Sequence, residues 1–127
     1  MINMRYTVRL VDKRRHDLCW TRIEGWGYPA DLEDFDEVVM VEVGDGGAYF
    51  WFEWLSQTDL LLHMAAHMAH RGRFLTRRVR ERVYVTAELL GADRLWVVTE
   101  DTTVNRYVER LGWEHDPTQG WYKRITA

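Results

Sequence analysis

Residues 37–54 read EVVMVEV-GDGG-AYFWFEW. Two runs rich in β-branched and aromatic residues flank Asp45-Gly46, and glycine accepts the positive φ that tight hairpin turns need. The segment therefore predicts an antiparallel hairpin of Glu37–Val43 and Ala48–Trp54. The second run is apolar on nearly both faces, so its strand belongs at the centre of a sheet.

Around this hairpin the pattern alternates between strand and helix periods. Met4–Val11 places Met4, Tyr6, Val8 and Leu10 on one side and Arg5, Thr7 and Arg9 on the other, as a strand with one buried face does. Asp12 can cap a helix over Lys13–Glu24 that carries Leu18, Trp20 and Ile23. Residues 25–36 hold glycine, proline and acidic residues and read as an irregular connection, with a turn of helix at 30–35. Asp59–His70 fits either a strand or a helix. As a helix it would align His63, His67 and His70 on one face. Arg73–Leu90 reads as a helix, with Leu75, Val79, Val83, Ala87 and Leu90 on its apolar stripe and Gly91 as its stop. Arg94–Thr99 is a strand. A helix capped at residues 101–103 runs to Leu111 and stops at Gly112. Residues 113–115 and 121–125 are short strands around the Asp116–Gly120 turn. The strand–helix–strand–helix run predicts parallel pairing in the C-terminal half, and the hairpin antiparallel pairing before it. The expected fold is α/β: a mixed, partly antiparallel sheet of six or seven strands with flanking helices.

Composition narrows the class. With 127 residues, 46% apolar and 29% charged, the chain suits one globular domain, 1–127. No apolar run approaches the ~20 residues of a membrane helix, and the first residues lack a signal pattern. A soluble protein is expected. Cys19 is the single cysteine, which excludes a disulfide framework and a multi-cysteine zinc site. Next to Trp20 it reads as a buried, inert thiol. Charge is unevenly spread: residues 1–60 hold 6 basic and 12 acidic groups, and residues 61–127 hold 11 and 8. Six arginines fall between Arg71 and Arg82, either as a solvated helix face or as an anion site.

Two segments carry a family resemblance. Arg71-Gly72-Arg73-Phe74-Leu75-Thr76, at the start of the long helix, resembles the pyrophosphate loop (Gln/Arg-x-x-Gly-x-Gly/Ala) of the GNAT acetyl-CoA-dependent N-acetyltransferases. Asp101–Trp113 resembles that family's Asn…(Phe/Tyr)-Leu-x-x-Leu-Gly-Phe helix and following strand. The resemblance covers roughly residues 4–126, and within the superfamily the spacing is most similar to small internal virion proteins of short-tailed phages. It implies an acyl-CoA N-acyltransferase fold with acetyl-CoA as the cofactor. It assigns cofactor contacts to Arg71, Gly72, Arg73, Leu75, Thr76 and Asp101. Backbone N–H groups and the positive end of a helix suit a pyrophosphate, and a nearby arginine adds a charge-assisted hydrogen bond. The sequence departs from the pattern at four places, the mildest being Thr76 for the last Gly/Ala of the loop, where its hydroxyl could still donate. Phe74 replaces a glycine, and its ring either crowds the phosphates or turns into the core and closes the loop. Asp101 stands for an asparagine. Val108 stands where the family places its tyrosine acid, and Tyr107 next to it points about 100° away around the helix.

A general base needs a pKa near neutrality and reach to the amine. The candidates are Glu53, where flanking Phe52 and Trp54 would raise the pKa by desolvation, and His63. The His63–His67–His70 series lacks an internal glutamate base, so no metal site is assigned. Two functions follow. The phage resemblance, Phe74 and Val108 imply a virion or morphogenesis protein with a degenerate acyl-CoA site. Such a protein would act through contacts with phage structural proteins, in the host cytoplasm or the virion, and exposure of Trp26, Trp51 or Trp113 would favour such an interface. The alternative is an active acetyl-CoA-dependent N-acetyltransferase. The net acidic chain and the lack of a reading motif argue against nucleic acid as a partner.

Overall fold

Among the described residues, seven strands and three helices follow one another in the predicted order. The computed structural model describes residues 7–28, 38–71 and 73–125. The strands are β1 (Val8–Leu10), β2 (Val39–Val43), β3 (Ala48–Trp54), β4 (Asp59–Ala66), β5 (Arg94–Val97), β6 (Glu114–Asp116) and β7 (Gly120–Arg124). They form one mixed sheet of order β1-β2-β3-β4-β5-β7-β6. The helices are α1 (His16–Gly25), α2 (Arg77–Leu89) and α3 (Thr102–Arg110). No helix among the described residues is long and apolar enough to cross a membrane. The chain divides into two compact units: the N-terminal part up to Glu53 with His63–Val83, and Trp54–Leu62 with everything from Tyr84 onward.

In the first unit the hairpin forms as predicted, from Val39↔Phe52 to Val43↔Ala48. Gly44 and Gly46 in its turn take positive φ values of 64° and 86°. Tyr49, Phe50 and Phe52 of β3 are almost fully buried, which fits a central strand. Successive strand residues face opposite ways. Tyr49 and Trp51 therefore share a face, and they pack with Cys19, Trp20 and Ile23 of α1. Phe50 lies on the other face and meets Phe74, ring centroids 5.6 Å apart. Each such aromatic burial contributes about 1.5–3 kcal/mol. Asp12 caps a short 3-10 turn (Lys13–Arg15) that leads into α1, its carboxylate accepting from the Arg14 N–H.

The structure overturns two of these expectations and decides the open reading of Asp59–His70. Leu10 was placed on the buried face of its strand but is 71% exposed. The strand β1 is the sheet edge, and the side chain that enters the core is Val11, just past its end, tied by its N–H to Met40. Asp59–His70 is a strand to Ala66 followed by a 3-10 turn (Met68–His70), so the histidines do not share a helical face. The long helix starts at Arg77 rather than Arg73, because Thr76 is its cap: the Thr76 hydroxyl accepts from the Val79 N–H at 3.3 Å. Phe74 therefore belongs to the loop and fixes it from inside the core. The predicted helical turn at 30–35 and the start of the first strand lie outside the described residues.

In the second unit β4 pairs parallel with β5 from Asp59↔Arg94 to Leu61↔Trp96. Buried Asp59 ties the two strands together, accepting from Trp96 Nε1 at 2.8 Å, Thr58 Oγ1 at 2.8 Å and Arg94 at 2.9 Å. The predicted parallel pairing does not continue to β6. The turn after β6 folds β7 back into the place beside β5, antiparallel to both neighbours. Asp116 builds that turn by accepting from the Thr118 N–H and hydroxyl. Gly120 enters β7 at φ 123°, where an added Cβ would stand 2.6 Å from the Val97 carbonyl oxygen. The stops at Gly91 and Gly112 are as predicted: each glycine has positive φ, and the next residue's N–H reaches back to Ala87 or Val108.

Candidate active site

The two candidate bases come together. Alternation along β3 puts Glu53 on the same face as Trp51, and β4 presents His63 beside them. His63 Nε2 lies 3.0 Å from Glu53 Oε2. The imidazole is stacked on the Trp51 indole, centroids 5.4 Å apart and planes 9° apart. Trp51 is in turn held edge-on by Trp20 of α1, at 5.0 Å and 85°. A carboxylate only accepts, so in neutral His63 the Nε2 carries the hydrogen and Nδ1 is the basic nitrogen. Side-chain exposures of 29% for His63 and 41% for Glu53 leave the pair within reach of solvent. The desolvated setting expected for Glu53 from its neighbours in sequence is therefore not found. Phe52 faces the opposite side of the strand, away from the Glu53 carboxylate. Sequence reasoning missed Trp51 as part of this group, although i, i+2 alternation on β3 places it beside Glu53.

The residues assigned to the cofactor from the resemblance take several local positions. Arg71 donates from Nε to the Ala66 carbonyl at 3.3 Å and from Nη2 to the Trp26 carbonyl at 3.4 Å. Its guanidinium lies 5.3 Å from the centre of the Tyr28 ring. Arg73 is exposed, and its backbone N–H bonds the His70 carbonyl. Leu75 is half-buried, and Thr76 caps α2 as described. Gly72 lies outside the described residues. Phe74 is 5% exposed and turned into the core against Phe50. Of the two placements its size allowed, the phosphate-crowding one is thus excluded. What the loop presents for a diphosphate is the N-terminal end of α2, with Arg73, Arg77 and Arg78 exposed around it. These residues fit the group chemically.

In the second unit Asp101 is an N-cap: its carboxylate accepts from the Thr103 N–H at 2.8 Å. Val108 is buried at 3% and has no proton to give. Tyr107 is half-buried. Trp113, buried at 8%, donates to the Tyr84 hydroxyl, and Trp121 to Asn105. In the first unit Trp51 is buried at 5% and Trp26 is half-buried, stacked on Tyr49. The exposed tryptophans that would have favoured a protein interface are thus not Trp26, Trp51 or Trp113. Cys19 is fully buried, and burial pushes its thiol pKa up. His67 accepts from the Ala69 N–H through Nδ1. Among the described residues no three His, Cys, Asp or Glu side chains converge as a metal site does.

No protein-family description matches the sequence, and no curated protein does. Solved structures do match. The ribosomal-protein-S18-alanine N-acetyltransferase of Escherichia coli superposes with a TM-score of 0.70 at 14% identity, over 97% of this chain and 96% of that one. A GNAT-family acetyltransferase of Staphylococcus aureus Mu50 gives 0.69 at 9% identity, over 96% and 100%. The yncA protein of Salmonella typhimurium, solved with its cofactor acetyl-CoA, gives 0.67 at 15% identity, over 95% and 94%. Near-complete coverage in both directions establishes that the chain has the GNAT acyl-CoA N-acyltransferase fold.

Proposed function

We propose that this chain is an acetyl-CoA-dependent N-acetyltransferase in which His63, oriented by Glu53, is the base for the acceptor amine. The observation that carries the reading is the 3.0 Å Glu53–His63 hydrogen bond, with the imidazole stacked on Trp51. Fold alone does not confer activity, because chemistry resides in the site. A carboxylate–imidazole pair is a recurring arrangement for taking a proton. The likeness to acetyltransferases, one of them solved with acetyl-CoA, favours this role over that of a virion protein acting by contacts alone.

When bound, acetyl-CoA supplies the acetyl group as an activated thioester. Arg71, Arg73 and the first-turn backbone of α2 would hold its diphosphate. The work of the chain is then proton management. Glu53 fixes the His63 tautomer, so Nδ1 receives the proton that leaves the amine. Its carboxylate also stabilises the imidazolium that results. A positioned base of this kind contributes about 10²–10⁴-fold in rate.

The test is acetyl transfer from acetyl-CoA to a panel of primary amines and peptide N-termini, followed by mass spectrometry of the product. The expected result is transfer by the native chain, with kcat down about 100-fold or more in His63→Ala and acetyl-CoA affinity unchanged. Wild-type turnover that His63→Ala and Glu53→Gln leave intact would remove the proposed base. Absence of both binding and transfer would remove the reading altogether.

A further inference from the structure

Outside that site, one cluster of charges is assembled in a way that pairing within the chain does not require. Glu42 of β2 is 2% exposed, and three arginines converge on it. Arg9 of β1 donates to Oε1 at 2.7 Å. Arg15 donates to Oε2 at 3.2 Å. Arg22 of α1 places Nη1 3.9 Å from Oε2 and donates to the Tyr49 hydroxyl at 2.9 Å, and Tyr49 itself donates to Oε2 at 3.1 Å. A single arginine can satisfy a carboxylate through two parallel hydrogen bonds. Here three permanent positive charges meet one negative charge, a local surplus of 3 − 1 = +2, and the three repel one another.

The cluster is also built into the hairpin. An added Cβ on Gly46 would stand 2.4 Å from Arg22 Nη1 and 3.1 Å from the Tyr49 oxygen. The turn glycine thus makes room for the guanidinium as well as supplying positive φ. Asp12 is engaged by Arg14 at 3.3 Å, and Lys13 adds a further positive charge on the same 3-10 turn. The arginines are 59%, 44% and 40% exposed. A guanidinium has five N–H donors in a planar fork, so each side chain keeps donors for a ligand from solvent. Buried Glu42 holds them together from below.

We infer that Arg9, Arg15 and Arg22 form a binding site for a phosphate-type oxyanion, templated by buried Glu42 and Tyr49. Tyr49 and Glu53 are four residues apart on one strand, so this site stands roughly 13 Å along β3 from the carboxylate that orients the proposed base. It is independent of acetyl transfer.

The test is a titration of the native chain with inorganic phosphate in chloride buffer, followed through the arginine Nε–H resonances by NMR. Saturable shifts of Arg9, Arg15 and Arg22 that fit one common dissociation constant are expected. Arg15→Gln should weaken binding about tenfold, the scale of one charge-assisted contact. Glu42→Gln should weaken it, since the charge that gathers the three guanidinia is gone. Arg77→Gln, at the start of α2, should leave it unchanged. Arg9→Gln on the edge strand serves as a second variant whose fold does not depend on α1. No shift at saturating phosphate would overturn the inference, as would affinity that Arg15→Gln and Arg9→Gln both leave intact.

Discussion

Replacing Phe74 by alanine separates two roles for the ring: core anchor and obstruction in the phosphate loop. The ring is 5% exposed and 5.6 Å from that of Phe50. Truncating a buried phenylalanine to alanine costs about 3–5 kcal/mol, including the cavity it leaves. Phe74 sits in a loop that can relax around the vacancy, so the lower end, about 3 kcal/mol, is expected. At this chain length each kcal/mol moves Tm by roughly 4 °C, so the melting temperature should fall by about 12 °C. Thermal melts by circular dichroism, with urea unfolding alongside, measure this directly. Acetyl-CoA affinity, measured on the folded variant by calorimetry, should stay within about threefold of native, because an inward ring opens no phosphate space when removed. A Tm close to native together with tenfold tighter acetyl-CoA binding would refute the placement of the ring. It would restore the obstruction.

Other predictions concern the second unit and the lone thiol. Burial by itself would raise the Asp59 pKa, but hydrogen bonds from Trp96, Thr58 and Arg94 lower it by more, and it lies below its ordinary value. Its contribution to stability is therefore present above the unfolded value, near 3.9, and is lost as pH falls through the folded value. Asp59→Asn should lower stability at neutral pH and flatten the acid limb of a stability–pH profile; an unchanged acid limb would contradict this. Gly120→Ala should cost about 1–3 kcal/mol from backbone strain alone, with a further penalty from the Val97 carbonyl in the way, read by chemical denaturation. Cys19, fully buried with its thiol pKa raised by burial, should resist a thiol reagent in the native protein and react at once in denaturant. Rapid labelling without unfolding would contradict that burial.

What the sequence conveyed depended on how local the determining physics is. The hairpin and the two glycine stops are decided by residues within a few positions of one another and are legible in the sequence, while the choice of Asp101 among the three possible caps at 101–103 is made by the structure. The strand at Asp59–Ala66 was ambiguous because its Leu, Met and Ala fit either period. Its strand character rests on pairing with the distant Arg94–Trp96. The start of α2 was misplaced for a similar reason. Arg73–Thr76 looks helical by spacing, but the Thr76 cap and the pull of Phe50 on Phe74 set the boundary. The position of β7 between β5 and β6 is a matter of topology that no local pattern encodes. At the site, Glu53 and His63 could each be named from residue type, while their hydrogen bond depends on the register of neighbouring strands. The convergence of Arg9, Arg15 and Arg22 on Glu42 brings together residues up to 33 positions apart. Each looked like an ordinary surface arginine in the sequence.

Calorimetric titration of acetyl-CoA into the native chain, repeated with His63→Ala and paired with the transfer assay, separates cofactor binding from the role of the His63 base. Micromolar binding is expected in both proteins, and acetyl transfer in the native one alone. Heats indistinguishable from dilution in the native protein would contradict this, leaving an acyltransferase fold without its cofactor.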